Sequence, residues 1–91
     1  MYNIADEISL TLDMNNLNLD KLVDAIYIFR AAHNYDPYII CSVKTMNGIM
    51  SFYRHLIYDK YYGIDSIYDN SFEGCKILID HSLPFGEVKI R

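Results

Sequence analysis

The stretch from Asn18 to Ala32 constrains the chain most. Its apolar residues Leu19, Leu22, Val23, Ile26 and Phe29 recur three and four positions apart, the spacing that gathers side chains into one stripe along an α-helix. Asn18 can cap the first turn, Asp20 suits the N-terminal dipole and Arg30 suits the other end. His33, Asn34 and Tyr35 then lead to Asp36-Pro37. That pair stops the helix, because proline lacks an N–H and pushes the residue before it out of helical backbone. A helix from about Leu19 to Ala32 with a single apolar stripe needs a second layer to bury it.

Strand patterns on both sides supply that layer. From Glu7 to Asp13 the residues alternate, Ile8, Leu10 and Leu12 to one side and Glu7, Ser9, Thr11 and Asp13 to the other, which predicts a half-buried strand. Asn15 and Asn16 mark a turn after it. Tyr38 to Cys41 is short and apolar on both faces, the signature of a central strand. Ser42 or Thr45 then caps a second helix to about Tyr58, with Val43, Met46, Ile49, Met50, Tyr53, Leu56 and Ile57 inward. Gly48 weakens that helix by about 1 kcal/mol relative to alanine without breaking it. Tyr58 to Asn70 has no clean period and reads as a surface connection. Lys76 to Asp80 and Glu87 to Arg91 alternate again around a Pro/Gly turn at Leu83 to Gly86, which predicts a terminal hairpin. The sequence therefore predicts one α+β domain over 1–91, in the order β-α-β-α-β-β, with two helices packed on a small sheet that ends in a C-terminal hairpin.

A chain of 91 residues has room for one core and buries only about two-thirds of the surface its unfolded form exposes. Its margin of stability is thin, and a homo-oligomer is the expected supplement. Eight basic residues against twelve acidic ones leave a net charge of −4, and the basic residues are scattered singly, so nucleic acid is a poor partner. Cys41 and Cys75 lie in apolar strand-like runs, where buried reduced thiols are favoured over a disulfide and a reducing cytoplasm fits. Asp6 and Glu7 interrupt any signal-peptide pattern. No apolar run approaches the roughly 20 residues that span a bilayer, so no membrane partner is expected.

No catalytic or metal-binding constellation emerges. His33, His55 and His81 stand far apart without ligand-type neighbours on one helix face, so they read as polar surface or turn residues and no metal is expected. Asp59, Asp65 and Asp69 lack the spacing, central glycine and closing glutamate of a calcium loop. Neither Cys41 nor any serine sits in a glycine elbow or beside a base, and no glycine loop cradles a phosphate. The chain reads as a non-enzyme with no cofactor.

What stands out is an aromatic and acidic cluster. The chain has nine tyrosines and no tryptophan, and Tyr53, Arg54, Tyr58, Asp59, Lys60, Tyr61, Tyr62, Asp65 and Tyr68 crowd one poorly periodic stretch. Tyrosine gives contact area at little entropy cost, so the cluster resembles a recognition surface. The alternative is that tyrosine replaces phenylalanine or leucine on the rim of a small core. A bound nucleotide-like ligand would be met by tyrosine stacking with Arg54, Lys60 or Arg91.

The segments YIICSVKTMNGIMSFYRH and FEGCKILIDHSLPFGEVKIR resemble a pattern of tailed-phage capsid proteins. There a strand ending in a small polar residue opens a helix, and a later strand precedes a Pro-x-Gly turn and a final strand. Phe72, Gly74, Lys76 to Ile79, Leu83, Pro84 and Gly86 occupy those positions, and small phage reading frames look similar over the same half of the chain. The resemblance implies a phage-encoded accessory protein acting in the host cytoplasm. The function expected first is non-enzymatic: a homo-oligomer that binds or sequesters a host protein, such as a defence component, or a small nucleotide-like ligand. A structural virion component and a small enzyme with an inter-subunit site are the alternatives.

Overall fold

The computed structural model describes residues 6–60 and 71–91, with side chains throughout except over 53–60. In chain order the elements are β1 (Ile8–Thr11), α1 (Asp20–His33), β2 (Ile39–Cys41), α2 (Val43–Lys60), β3 (Ser71–Phe72), β4 (Cys75–Ile79) and β5 (Glu87–Ile90). The five strands form one mixed sheet in the order β1-β5-β2-β4-β3. The expected α+β architecture with two helices on a small sheet is the one observed, with β3 as an additional short strand.

Side chains bond both helix starts, although the N-cap of α1 is Leu19, one residue after the expected Asn18, and makes no side-chain cap bond of its own. The Asn18 carboxamide oxygen accepts the Asp20 N–H at 2.8 Å, satisfying a donor that the helix leaves free. Asn34 ends α1 in left-handed backbone and donates its N–H to the Arg30 carbonyl, the standard way of closing a helix C-terminus. At α2 the cap is Ser42: its Oγ accepts the Thr45 N–H at 3.3 Å and its carbonyl accepts the Met46 N–H at 2.9 Å. Thr45, the alternative cap, is instead fully buried.

The terminal hairpin does not form. β4 and β5 are separated by β2, which runs parallel to β4 and antiparallel to β5. Two facts explain the difference. The seven residues 80–86 exceed the two to five of a tight hairpin, and β2 is buried at all three of its residues, so it needs a strand on each side. The chain crosses β2 by anchoring each end of the connection to it or to its helix. The Asp80 N–H donates to the Cys41 carbonyl at 2.9 Å, and the Gly86 N–H donates to Thr45 Oγ1 at 2.9 Å. A hairpin does exist, between β3 and β4, where Glu73 (φ 53°) and Gly74 (φ 78°) both take left-handed backbone, as a two-residue turn of primed type requires.

β1 and β2 are parallel across β5, and β2 and β4 are parallel neighbours. Both crossovers step the same way across the sheet, so right-handed connections put both helices on one face. Alternation supplies that face with Val88 and Ile90, Ile39 and Cys41, Cys75 and Ile77, and Phe72. These pack with Leu22, Ala25, Ile26 and Phe29 of α1 and Ile49 and Met50 of α2 in one cluster. Ile8, Leu10 and Val23 pack against it while staying partly exposed.

Arg30 joins three segments at the edge of this core. Its Nε donates to Asp36 Oδ1 at 2.7 Å, and its Nη2 donates to the Glu73 carbonyl and lies 3.7 Å from Cys75 Sγ. The residue expected to serve the helix dipole thus also ties α1 to the loop before β2 and to the β3–β4 hairpin.

Candidate interaction surface

Of the tyrosine and aspartate cluster, Tyr53, Arg54, Tyr58, Asp59 and Lys60 fall in the last turns of α2, with side chains outside the described residues. Tyr61, Tyr62, Asp65 and Tyr68 lie outside the described residues altogether. Arg91, the one of the three cations expected to meet a nucleotide whose side chain is described, donates from Nη1 to Glu7 Oε2 at 3.2 Å.

A different surface stands complete: the face of the sheet turned away from both helices. Register sets its rows. Ser9 is opposite Lys89, Lys89 opposite Ile40, and Ile40 opposite Leu78. One row along, Arg91 and Tyr38 exchange backbone hydrogen bonds of 3.1 and 2.7 Å, with Lys76 and Ser71 paired beyond. Tyr38, Ile40 and Leu78 therefore form an apolar strip over the central strands. Ile40 is walled in at 6% exposure while Tyr38 and Leu78 remain 50% and 41% exposed.

Charge frames the strip without dominating it. Glu7 bridges Lys89 at 3.5 Å and Arg91 at 3.2 Å. Lys76 is exposed and has no ion pair among the described residues. At the far end, the Ser82 hydroxyl and N–H both donate to the Asp80 carboxylate, at 2.6 and 2.9 Å, and hold its carboxyl below the usual range. An apolar centre inside a rim of both signs is the composition of a surface that meets another protein.

The other chemistry-bearing groups are occupied structurally. Cys41 and Cys75 are buried free thiols. Burial pushes the Cys41 thiol up to about 11, far from the depressed range of reactive cysteines. His33 departs from the surface role expected of it. Four residues after Phe29 on α1, its ring stacks 4.1 Å from that of Phe29, as helical neighbours can, and its Nε2 is buried without a hydrogen-bond partner. His81 is exposed as expected, and the His55 side chain lies outside the described residues. Among the described residues no three His, Cys, Asp or Glu side chains group as metal ligands, and no helix is long and apolar enough to cross a membrane.

Sequence reasoning missed this face because it took β4 and β5 as paired. The signal was present in Tyr38 to Cys41, apolar on both faces, and in Leu78, apolar where alternation through Lys76 puts it opposite the core. Compared with protein-family models, curated proteins and solved structures, the chain matches none.

Proposed function

We propose that this chain is a non-enzymatic binding protein that docks a protein partner on the open face of its sheet. The observation that supports this reading is the Tyr38–Ile40–Leu78 strip, exposed at both ends and framed by Glu7, Lys89, Arg91 and Lys76. Exposed apolar groups on a strand face are costly to leave in water at about 25 cal/mol per Å², and a partner recovers that cost. Two buried free thiols fit a reducing cytoplasm. The phage-like pattern in the C-terminal half makes a host protein, a defence component among them, the first partner class to examine.

The test compares capture by the wild-type chain with capture by a Leu78→Lys variant. Leu78 is outside the core cluster, so the variant keeps its far-ultraviolet circular dichroism. Proteins retained by the wild type and lost by Leu78→Lys support the reading. Identical capture by both refutes it.

A further inference from the structure

The sheet has two edges, and the one formed by β1 is built to receive another strand. The Leu12 N–H donates to the Gly86 carbonyl at 2.8 Å, and Leu12 continues the register in which Leu10 faces Val88 and Ile8 faces Ile90. Antiparallel ladders alternate with period two, so Leu10 and Ile8 aim their backbone groups at β5 while Ser9 and Thr11 aim theirs outward. Among the described residues nothing pairs with those outward groups. β1 carries no proline, lysine or bulge, the usual means of blunting an edge.

Side chains continue the same edge. Ile8 and Leu10 belong to the core face yet stay half-exposed. On α1, Arg30 reaches Glu73 and Cys75, and Val23 shares a cleft with Phe52 and Phe72, so that flank turns toward β3 and β4. Lys21, Ile28 and Ala32 lie seven and four positions apart on the opposite flank, above β1. All three are exposed, Ile28 at 48%.

The geometry points to a second copy of this chain as the occupant, its β1 pairing antiparallel with this one about Ser9. That register puts Ser9 opposite Ser9 and Thr11 opposite Glu7, joining the outward backbone groups, and sets Ile8 against Leu10 on the helix side. It also places Asp6 of one copy beside Leu12 of the other. Lys21 shares a cleft with Leu12, so each Asp6, exposed and without an ion pair among the described residues, meets a Lys21 in the same condition. Of the two carboxylates that line that cleft, Asp13 already accepts the Asn15 N–H, and Asp20 lies in the first turn of α1, where the helix dipole favours it. α1 packs against both β1 and β5, so the two copies of α1 stand about two strand spacings, roughly 10 Å, apart. Helices pack at about 8–10 Å, which closes Ile28 and Ala32 against their symmetry mates. The product is a two-fold dimer with one continuous ten-stranded sheet. It uses an edge, not the open face, and is independent of the docking reading above.

The test is native mass spectrometry and amide hydrogen exchange on the full chain. The wild type is expected as a dimer of the 10.7 kDa chain, with the Ser9 and Thr11 amides exchanging about tenfold or more slowly than in a monomeric variant. Ile28→Glu, on an exposed helix flank, raises the dissociation constant about tenfold or more, since two carboxylates lose their water. Asp6→Lys and Lys21→Glu each raise it roughly 2- to 30-fold, two exposed pairs being lost per dimer, and the double variant restores it. A wild-type monomer at high micromolar concentration overturns the inference. So does a dimer whose Ser9 and Thr11 amides exchange at the rate of exposed strands, which would move the interface elsewhere and leave self-association standing.

Discussion

Replacing Thr45 by valine exchanges one hydroxyl for a methyl and leaves the side chain's shape almost unchanged. Thr45 is fully buried, and its Oγ1 accepts the Gly86 N–H at 2.9 Å and lies 3.0 Å from Ser42 Oγ. Because Oγ1 accepts from Gly86, its own proton is free for the Ser42 oxygen, which in turn accepts the Thr45 N–H. Valine leaves the Gly86 N–H buried and unpaired, a loss of about 1–3 kcal/mol. Ser42 is half-buried and can turn to water, so it adds little. A net loss of about 2 kcal/mol lowers the melting temperature of a domain this size by about 8–16 °C. In urea the midpoint falls by about 2 M at a slope near 1 kcal/mol per M. Thr45→Ser is the control: it keeps the hydroxyl, gives up one methyl, and costs about 1 kcal/mol. Urea titrations followed by circular dichroism decide the matter. A valine variant within about 0.5 kcal/mol of wild type, or a serine variant as damaged as the valine one, refutes the claim that this hydroxyl anchors the turn before β5.

Gly86→Ala costs about 2–4 kcal/mol by thermal melting, because φ is +92° and a Cβ would stand 2.7 Å from the Leu12 backbone oxygen. Gly48→Ala stays within about 1 kcal/mol of wild type, since the added Cβ meets only the mobile Met14 methyl at 2.5 Å and gains about 1 kcal/mol of helix propensity. His33→Leu raises stability by about 1–2 kcal/mol by removing a buried nitrogen without a partner; equal or lower stability in urea counts against that account. Cys41 titrates only above its unfolded value, so burial of the neutral thiol contributes stability that is complete below pH 9 and is lost as pH rises from 9.0 to about 11. The wild type should lose its advantage over Cys41→Ala in that window, as read by urea midpoints at stepped pH.

The elements were legible in the sequence where local physics decides them. The stripe from Leu19 to Phe29, the Ser42 cap and the apolar β2 each rest on spacing or on one side chain's chemistry, and each is found in the structure. Asn18 bonds the first turn of α1 from one residue ahead of its N-cap, Leu19. The placement of β5 was not legible. Glu87 to Ile90 alternates just as well beside β4 as beside β2, because period two fixes which face a residue takes and not which strand lies alongside. The same blindness hid the open face, whose members Tyr38, Leu78 and Lys89 come from three strands that only the topology brings together. Arg30 was hidden for another reason: its partners Glu73 and Cys75 are set by the docking of α1, on which helical spacing is silent. The stacking of His33 on Phe29 does follow that spacing, but the burial of its Nε2 does not.

β5 lies between β1 and β2, yet of the five strands it leaves the ribosome last. At about 5–20 residues per second, the stretch from Thr11 to Glu87 takes on the order of 4–15 s to synthesise, and for that time β1 has no ladder on either side. α2 and the parallel β2–β4 pair can gather earlier, but the floor under α1 is completed only when Val88 and Ile90 arrive. Closing a loop of about 80 residues also carries a large entropic cost before any contact rewards it. A nascent β1 is therefore open to capture by the β5 of a neighbouring chain whose own β1 has not yet docked, which makes strand exchange between copies the characteristic misfolding route of this topology.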